Sequence, residues 1–251
     1  MDKPSTQRKP QPPFVKHYLA FYNLVQFCGW GFGLILALKF MLFSKPYSHR
    51  LLWEHCSMII SIFQTLQLME VVHAAIKFVP SNPIQTFIQI FSRLMLVWGI
   101  LVPIVDARDS IGVPMLLIAW SIAECTRYIY YALNIYDAVP YLSTWLRYSL
   151  FIVLYPLGVS GELLTTYAAL APIRRMKFLS LELPNALNIS FYYDIYCILF
   201  MLSYVHCKFD FLFAFDFFAS FSICFLVFPQ LYLYMMHQRK KILSNSQSKR
   251  D

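Results

Sequence analysis

Residues 145–169 read WLRYSLFIVLYPLGVSGELLTTYAA. Only Arg147 and Glu162 carry charge in this stretch. It is too long for an ordinary core helix and exceeds the roughly 20 largely apolar residues that a helix needs to cross a bilayer. Tyr155 and Glu162 stand seven residues apart, or two helical turns. Phenol and carboxyl therefore project from one face, roughly 10 Å apart along the axis. A carboxyl group at membrane depth is expensive and marks a candidate for function. Pro156 removes a backbone donor and disturbs the carbonyl of Ile152. Gly158, Ser160 and Gly161 leave a bare patch. Two readings fit: a narrow site between two proton-active side chains, or a Pro-kinked helix that uses small residues for close packing.

The rest of the chain agrees with the membrane reading. Of its 251 residues, 59% are hydrophobic and 14% charged, with 23 Phe and 17 Tyr. A soluble domain carries about 25% charged residues. This chain cannot cover a globule with polar surface, so lipid is its solvent. The net charge of +8 is concentrated at the tails and in loops. Topology and lipid headgroups account for it, and nucleic acid is not an expected partner. The cysteines at 28, 56, 125, 197, 207 and 224 lie in or beside apolar segments with no CxxC spacing. They read as small buried hydrophobes, so neither a disulfide framework nor a zinc site is expected.

The expected class is all-α: a polytopic membrane helical bundle of about six transmembrane helices. Candidate spans are 18–42, 55–76, 84–105, 113–135, 145–169 and one within 190–236. Residues 1–17 read as a disordered basic tail, 18–236 as a single transmembrane domain and 237–251 as a basic C-terminal tail. The run after Tyr18 is too long for a signal-peptide core, so it reads as a retained first span. Breaks such as Lys45-Pro46 and Pro80-Ser-Asn-Pro83 make short loops, which favour antiparallel neighbours.

Six charged residues stand inside the spans: Glu70, Arg93, Glu124, Arg127, Arg147 and Glu162. Three acids and three bases can neutralise one another across helices. Glu124 and Arg127 are i,i+3 neighbours and can pair along their own helix. Gln64, Gln67, Gln89, Ser92 and Ser121 are expected to hydrogen-bond across helices. Several familiar chemistries are absent. Only one Glu-x-x-His occurs, Glu70 to His73, where a di-iron bundle wants two. No cysteine is followed by Arg six positions later, so no tyrosine phosphatase loop exists. Nucleotide-binding glycine loops and a GxSxG elbow are also missing.

Five segments resemble the very-long-chain (3R)-3-hydroxyacyl-CoA dehydratases, formerly called protein tyrosine phosphatase-like proteins and including the PASTICCINO 2 type of plants. They are Tyr18 to Trp30, Leu68-Met-Glu70-Val-Val-His73-Ala-Ala, Trp120-Ser-Ile-Ala-Glu124-Cys-Thr-Arg127-Tyr128, Leu146-Arg147-Tyr148 through Glu162, and Gln238-Arg239-Lys240-Lys241. The Arg-Tyr…Tyr-Pro-x-Gly…Glu segment is the most specific. The resemblance implies a six-span enzyme of the endoplasmic reticulum membrane that removes water from 3-hydroxyacyl-CoA to give trans-2-enoyl-CoA. This is the third step of the fatty-acid elongation cycle. The implied partners are the elongase condensing enzyme and reductases, and the implied catalytic pair is Tyr155 and Glu162.

The chemistry suits those residues. The thioester acidifies the C2 proton, but hydroxide leaves C3 badly, so a base must take one proton and an acid must give another. A carboxyl withdrawn from bulk water can serve in either role. A phenol, with an ordinary pKa of about 10, is normally protonated and can donate. We expect Glu162 as base and Tyr155 as donor. Arg147, Glu124, Arg127 and Gly158 are the expected substrate-binding or supporting residues. An arginine among them can hold a CoA phosphate or pair with Glu, and pairing is the expectation. An elimination needs no metal or redox cofactor, so none is expected.

Two departures stand out. The family usually has Gly where this chain has Lys77, near a span end where lysine can snorkel. A larger one separates Ser203-Tyr204-Val205 from Phe228-Pro229-Gln230-Leu231-Tyr232: 22 extra residues, His206 to Val227. Nine Phe fall between 209 and 228. Should this insertion spoil the bundle, the alternative reading is a catalytically weak scaffold subunit of the elongase or of another membrane complex.

Overall fold

A proline at the first helical position opens α1, Pro13–Phe43. Its fixed φ suits a helix start, and its missing N–H is no loss there. The computed structural model describes residues 12–181 and 190–205. After α1 come α2 (His49–Leu66), α3 (Leu68–Ala75), α4 (Pro83–Leu94), α5 (Gly112–Asn134), α6 (Tyr141–Met176) and α7 (Tyr193–Val205). Asn82 caps α4, its side-chain oxygen accepting from the N–H of Ile84 at 2.9 Å. A π-helical turn, Met95–Leu101, continues α4. The Tyr193 hydroxyl donates to the Gly99 carbonyl in that turn at 3.2 Å, which ties α7 to it. A side chain on Gly99 would collide with that hydroxyl.

The described residues are almost wholly helical, with one isolated β-bridge between Leu181 and Phe191. Four helical stretches, 13–43, 49–75, 83–101 and 141–176, are long and apolar enough to cross a membrane. Large apolar side chains stand exposed along them, including Phe21 and Ile35 on α1, Met58 on α2 and Val153 on α6. Such a surface needs lipid. The chain is a multi-pass membrane protein. α5 differs, because of its 23 residues only the terminal Asn134 is exposed. It packs chiefly against α6 and α1, so protein rather than lipid surrounds it. Among the described residues, four of the six expected spans qualify by length and composition. The first begins upstream of Tyr18. Residues 1–11, the insertion 206–227, the tail 237–251 and most of the last expected span lie outside the described residues.

Gly112 and Gly161 let α5 and α6 touch backbone to backbone. A Cβ on Gly161 would lie 2.7 Å from the Leu116 nitrogen and 2.9 Å from the Gly112 carbonyl oxygen. This is the close approach that small residues permit in membranes. A Cβ on Gly158 would meet only ordinary contacts, Ala119 Cβ at 3.5 Å and Trp120 Cδ1 at 4.0 Å. Gly161→Ala is therefore expected to lower stability by about 1–3 kcal/mol through overpacking. Gly158→Ala should leave stability level or slightly raised, because alanine is the better helix former. Thermal midpoints of the two purified variants check this, and equal midpoints contradict it.

Lys77 closes α3 in the left-handed conformation, with φ 61°. The N–H of Phe78 bonds the His73 carbonyl at 2.8 Å and that of Lys77 bonds the Ala74 carbonyl at 3.1 Å. This is a Schellman cap, whose left-handed residue is usually glycine. Snorkelling is thus not the whole account of this position: the lysine stands where the backbone favours a residue without Cβ. Lys77→Gly is expected to stabilise the protein by about 1 kcal/mol. A thermal midpoint that stays level or falls would contradict the cap's energetics.

Candidate active site

α6 presents Arg147, Phe151, Tyr155, Gly158 and Glu162 to one cavity of about 270 Å³. The spacings of four, four, three and four residues keep them on one helical face. Pro156 and Ser160 lie exposed on the outer face, so the bare patch divides. Gly158 opens into the cavity, Gly161 seats α5, and Ser160 faces away. Trp120, Glu124 and Arg127 of α5 line the opposite wall, with Gln89 and Arg93 from α4 and Glu70 from α3. The cavity therefore has Tyr155 and Glu162 in a single wall, as the seven-residue spacing predicts.

Glu162 is buried, with 7% of its surface exposed. The indole N–H of Trp120 donates to its Oε1 at 2.8 Å. Trp120 is itself buried, and the Arg93 guanidinium stacks 5.4 Å from its ring centre. One carboxylate oxygen is thus held by a donor in a fixed ring. Tyr155 packs its ring 5.1 Å from that of Phe151, one turn earlier on α6. Thr166 donates its hydroxyl to the Glu162 carbonyl at 2.8 Å, within the helix.

The charged side chains of the wall form a chain of alternating sign. Arg93 pairs with Glu124, Glu124 with Arg127, and Arg127 with both oxygens of Glu70, at 2.6 and 2.8 Å. The Tyr128 hydroxyl donates to Glu70, and the Arg127 guanidinium lies 4.4 Å from the Tyr128 ring centre. Four of the six intramembrane charges so neutralise one another and tie α3, α4 and α5 together. The pairing expected of Glu124 and Arg127 is present. The pairing expected of Arg147 is not: among the described residues no carboxylate lies within ion-pair distance of it. It rests instead on Tyr130 and Tyr131.

The neutral polar residues also differ from expectation. Gln64 donates to Gln67 at 2.8 Å and Ser92 to the Gln89 carbonyl at 3.0 Å, both locally along the chain. The Ser121 hydroxyl has no hydrogen-bond partner among the described residues. The sequence alone does not mark Trp120 and Arg93 as site residues. Trp120 precedes Glu124 by one helical turn, so it shares the face of a residue already marked, and that spacing is the available signal.

The chain matches the family described as "Protein tyrosine phosphatase-like protein, PTPLA" over residues 64–245. It is 38% identical to the human "Very-long-chain (3R)-3-hydroxyacyl-CoA dehydratase 2" over 238 residues, covering 94% of this chain and 84% of that one. It is 40% identical to the Caenorhabditis elegans "Very-long-chain (3R)-3-hydroxyacyl-CoA dehydratase hpo-8" over 237 residues, covering 94% and 99%. To the Arabidopsis thaliana "Very-long-chain (3R)-3-hydroxyacyl-CoA dehydratase PASTICCINO 2" it is 33% identical over 230 residues, covering 91% and 94%. No solved structure matches.

Proposed function

This chain belongs to the protein tyrosine phosphatase-like PTPLA family, and from that premise we propose that it removes water from very-long-chain (3R)-3-hydroxyacyl-CoA to give trans-2-enoyl-CoA. The enzyme is a hydro-lyase of the fatty-acid elongation cycle, and the membrane of the endoplasmic reticulum is its place. A condensing enzyme and reductases act beside it. The observation that carries the reading is that Tyr155, Gly158 and Glu162 share the wall of one membrane-embedded cavity.

In the proposed mechanism Glu162 takes the proton from C2. The C–H electron pair forms the C2–C3 double bond as the C3–O bond breaks. Tyr155 gives its phenolic proton to the departing oxygen, which leaves as water. The carboxyl and phenolate then exchange a proton to restore the starting state. Trp120 donates to one oxygen of Glu162 at 2.8 Å, which fixes the orientation of the carboxylate in the wall of the cavity. Gly158, one turn from Tyr155 and one from Glu162, leaves room between them for the reacting carbons. The elimination is redox-neutral, so the proposal includes no metal or redox cofactor.

Rescue of a dehydratase-deficient cell tests this function. The full chain is expected to restore growth and very-long-chain acyl groups. Failure of the well-expressed chain to do so, with rescue by the same chain lacking 206–227, would assign the block to the insertion. Failure of both would overturn the proposal.

A further inference from the structure

Arg147 is the cavity cation whose charge the wall does not answer. Arg93 and Arg127 are matched by Glu124 and Glu70. A guanidinium has five N–H donors, and among the described residues that of Arg147 makes a single long hydrogen bond, to the Tyr131 hydroxyl at 3.4 Å. Its Nη1 is buried with no hydrogen-bond partner among the described residues. The ring centres of Tyr130 and Tyr131 lie 4.3 and 4.7 Å from it. Aromatic faces steady a cation without neutralising it. A planar guanidinium so held is suited to bidentate contact with phosphate oxygens. A poorly solvated cation with spare donors is completed by an anion.

The distances name the anion. Arg147 precedes Tyr155 by eight residues and Glu162 by fifteen, about 12 and 22 Å along the α6 axis. A pantetheine arm stretched from thioester sulfur to the first phosphate spans on the order of 15 Å by ordinary bond lengths. With the reacting carbons between Tyr155 and Glu162, that arm ends beside Arg147. Arg147 also lies about 9 Å from the start of α6. The same end of the bundle holds the start of α1: His17 is 2.9 Å from the Tyr136 hydroxyl, and the Tyr18 hydroxyl is 3.0 Å from His73.

We propose that Arg147, on its platform of Tyr130 and Tyr131, binds the diphosphate of the CoA moiety at the end of the bundle where α1 begins. The proposal rests on the dehydratase reading. One acyl group presented as its CoA thioester and as its pantetheine thioester, which lacks phosphate, tests it. In the wild type, kcat/KM favours the CoA form. Arg147→Gln is expected to reduce the ratio of the two kcat/KM values at least tenfold, and Arg147→Lys less. An unchanged ratio overturns the proposal, and is also the outcome if a lipid headgroup is the anion. Titration of folded protein with coenzyme A alone gives a readout without turnover. Should the wild type convert neither thioester, the dehydratase reading fails, and CoA affinity decides for Arg147. A tenfold loss in Arg147→Gln supports it and equal affinity overturns it.

Discussion

Glu162→Gln and Tyr155→Phe are each expected to lower the dehydration rate by a factor of about 10²–10⁴, the usual contribution of one positioned acid or base. Both substitutions nearly preserve shape. Glutamine keeps an oxygen for the Trp120 indole, which donates to Glu162 at 2.8 Å, but it cannot take a proton from C2. Phenylalanine keeps the ring that packs 5.1 Å from Phe151 but has no proton to give. Folding should therefore survive in both, and the loss should fall on kcat, because neither atom removed is needed to seat the acyl-CoA. The two act on one elimination, so the double variant should lose far less than the product of the single losses. Steady-state rates on a long-chain 3-hydroxyacyl-CoA measure this. Near wild-type turnover in either single variant would remove that residue from the chemistry.

Arg127→Met is expected to cost about 3–5 kcal/mol of stability, because it strands buried charge. Arg127 bridges Glu70 and Glu124, whose side chains are 16% and 4% exposed. Without it, Arg93 remains for Glu124, while among the described residues Glu70 keeps only the Tyr128 hydroxyl. Water does not reach such a site freely, so an unpartnered carboxylate there is far more costly than at a surface. Adding Glu70→Gln to Arg127→Met should recover part of the loss by removing the stranded charge. Denaturation of the purified single and double variants in detergent decides it. If Arg127→Met unfolds no more readily than wild type, the ion chain is not what joins α3, α4 and α5.

Periodicity and composition carry the membrane class and most helix positions, because several apolar runs of bilayer length in one chain are stable only where lipid surrounds them. The shared face of Tyr155, Gly158 and Glu162 is likewise legible, since helical geometry fixes it once the helix is assumed. Contacts between helices are less legible. Gly158 and Gly161 look alike in sequence, yet one opens on the cavity and the other on the α5 backbone. Arg147 resembles Arg93 and Arg127 in being a lone intramembrane base, and only the placement of its neighbours shows that tyrosines rather than carboxylates surround it. Lys77 shows a third limit: its left-handed backbone arises from how α3 ends, which side-chain hydrophobicity does not encode. Trp120 is hidden because tryptophan in an apolar span is ordinarily packing, and its N–H finds Glu162 only across α5 and α6.

The most direct measurement is conversion of a very-long-chain (3R)-3-hydroxyacyl-CoA by purified protein, followed by mass spectrometry of the thioester. The wild type is predicted to yield trans-2-enoyl-CoA with no other protein added. The folded Tyr155→Phe, Glu162→Gln double variant is predicted to yield almost none. Absence of product from folded wild type, or equal product from the double variant, would contradict acid–base elimination by this pair.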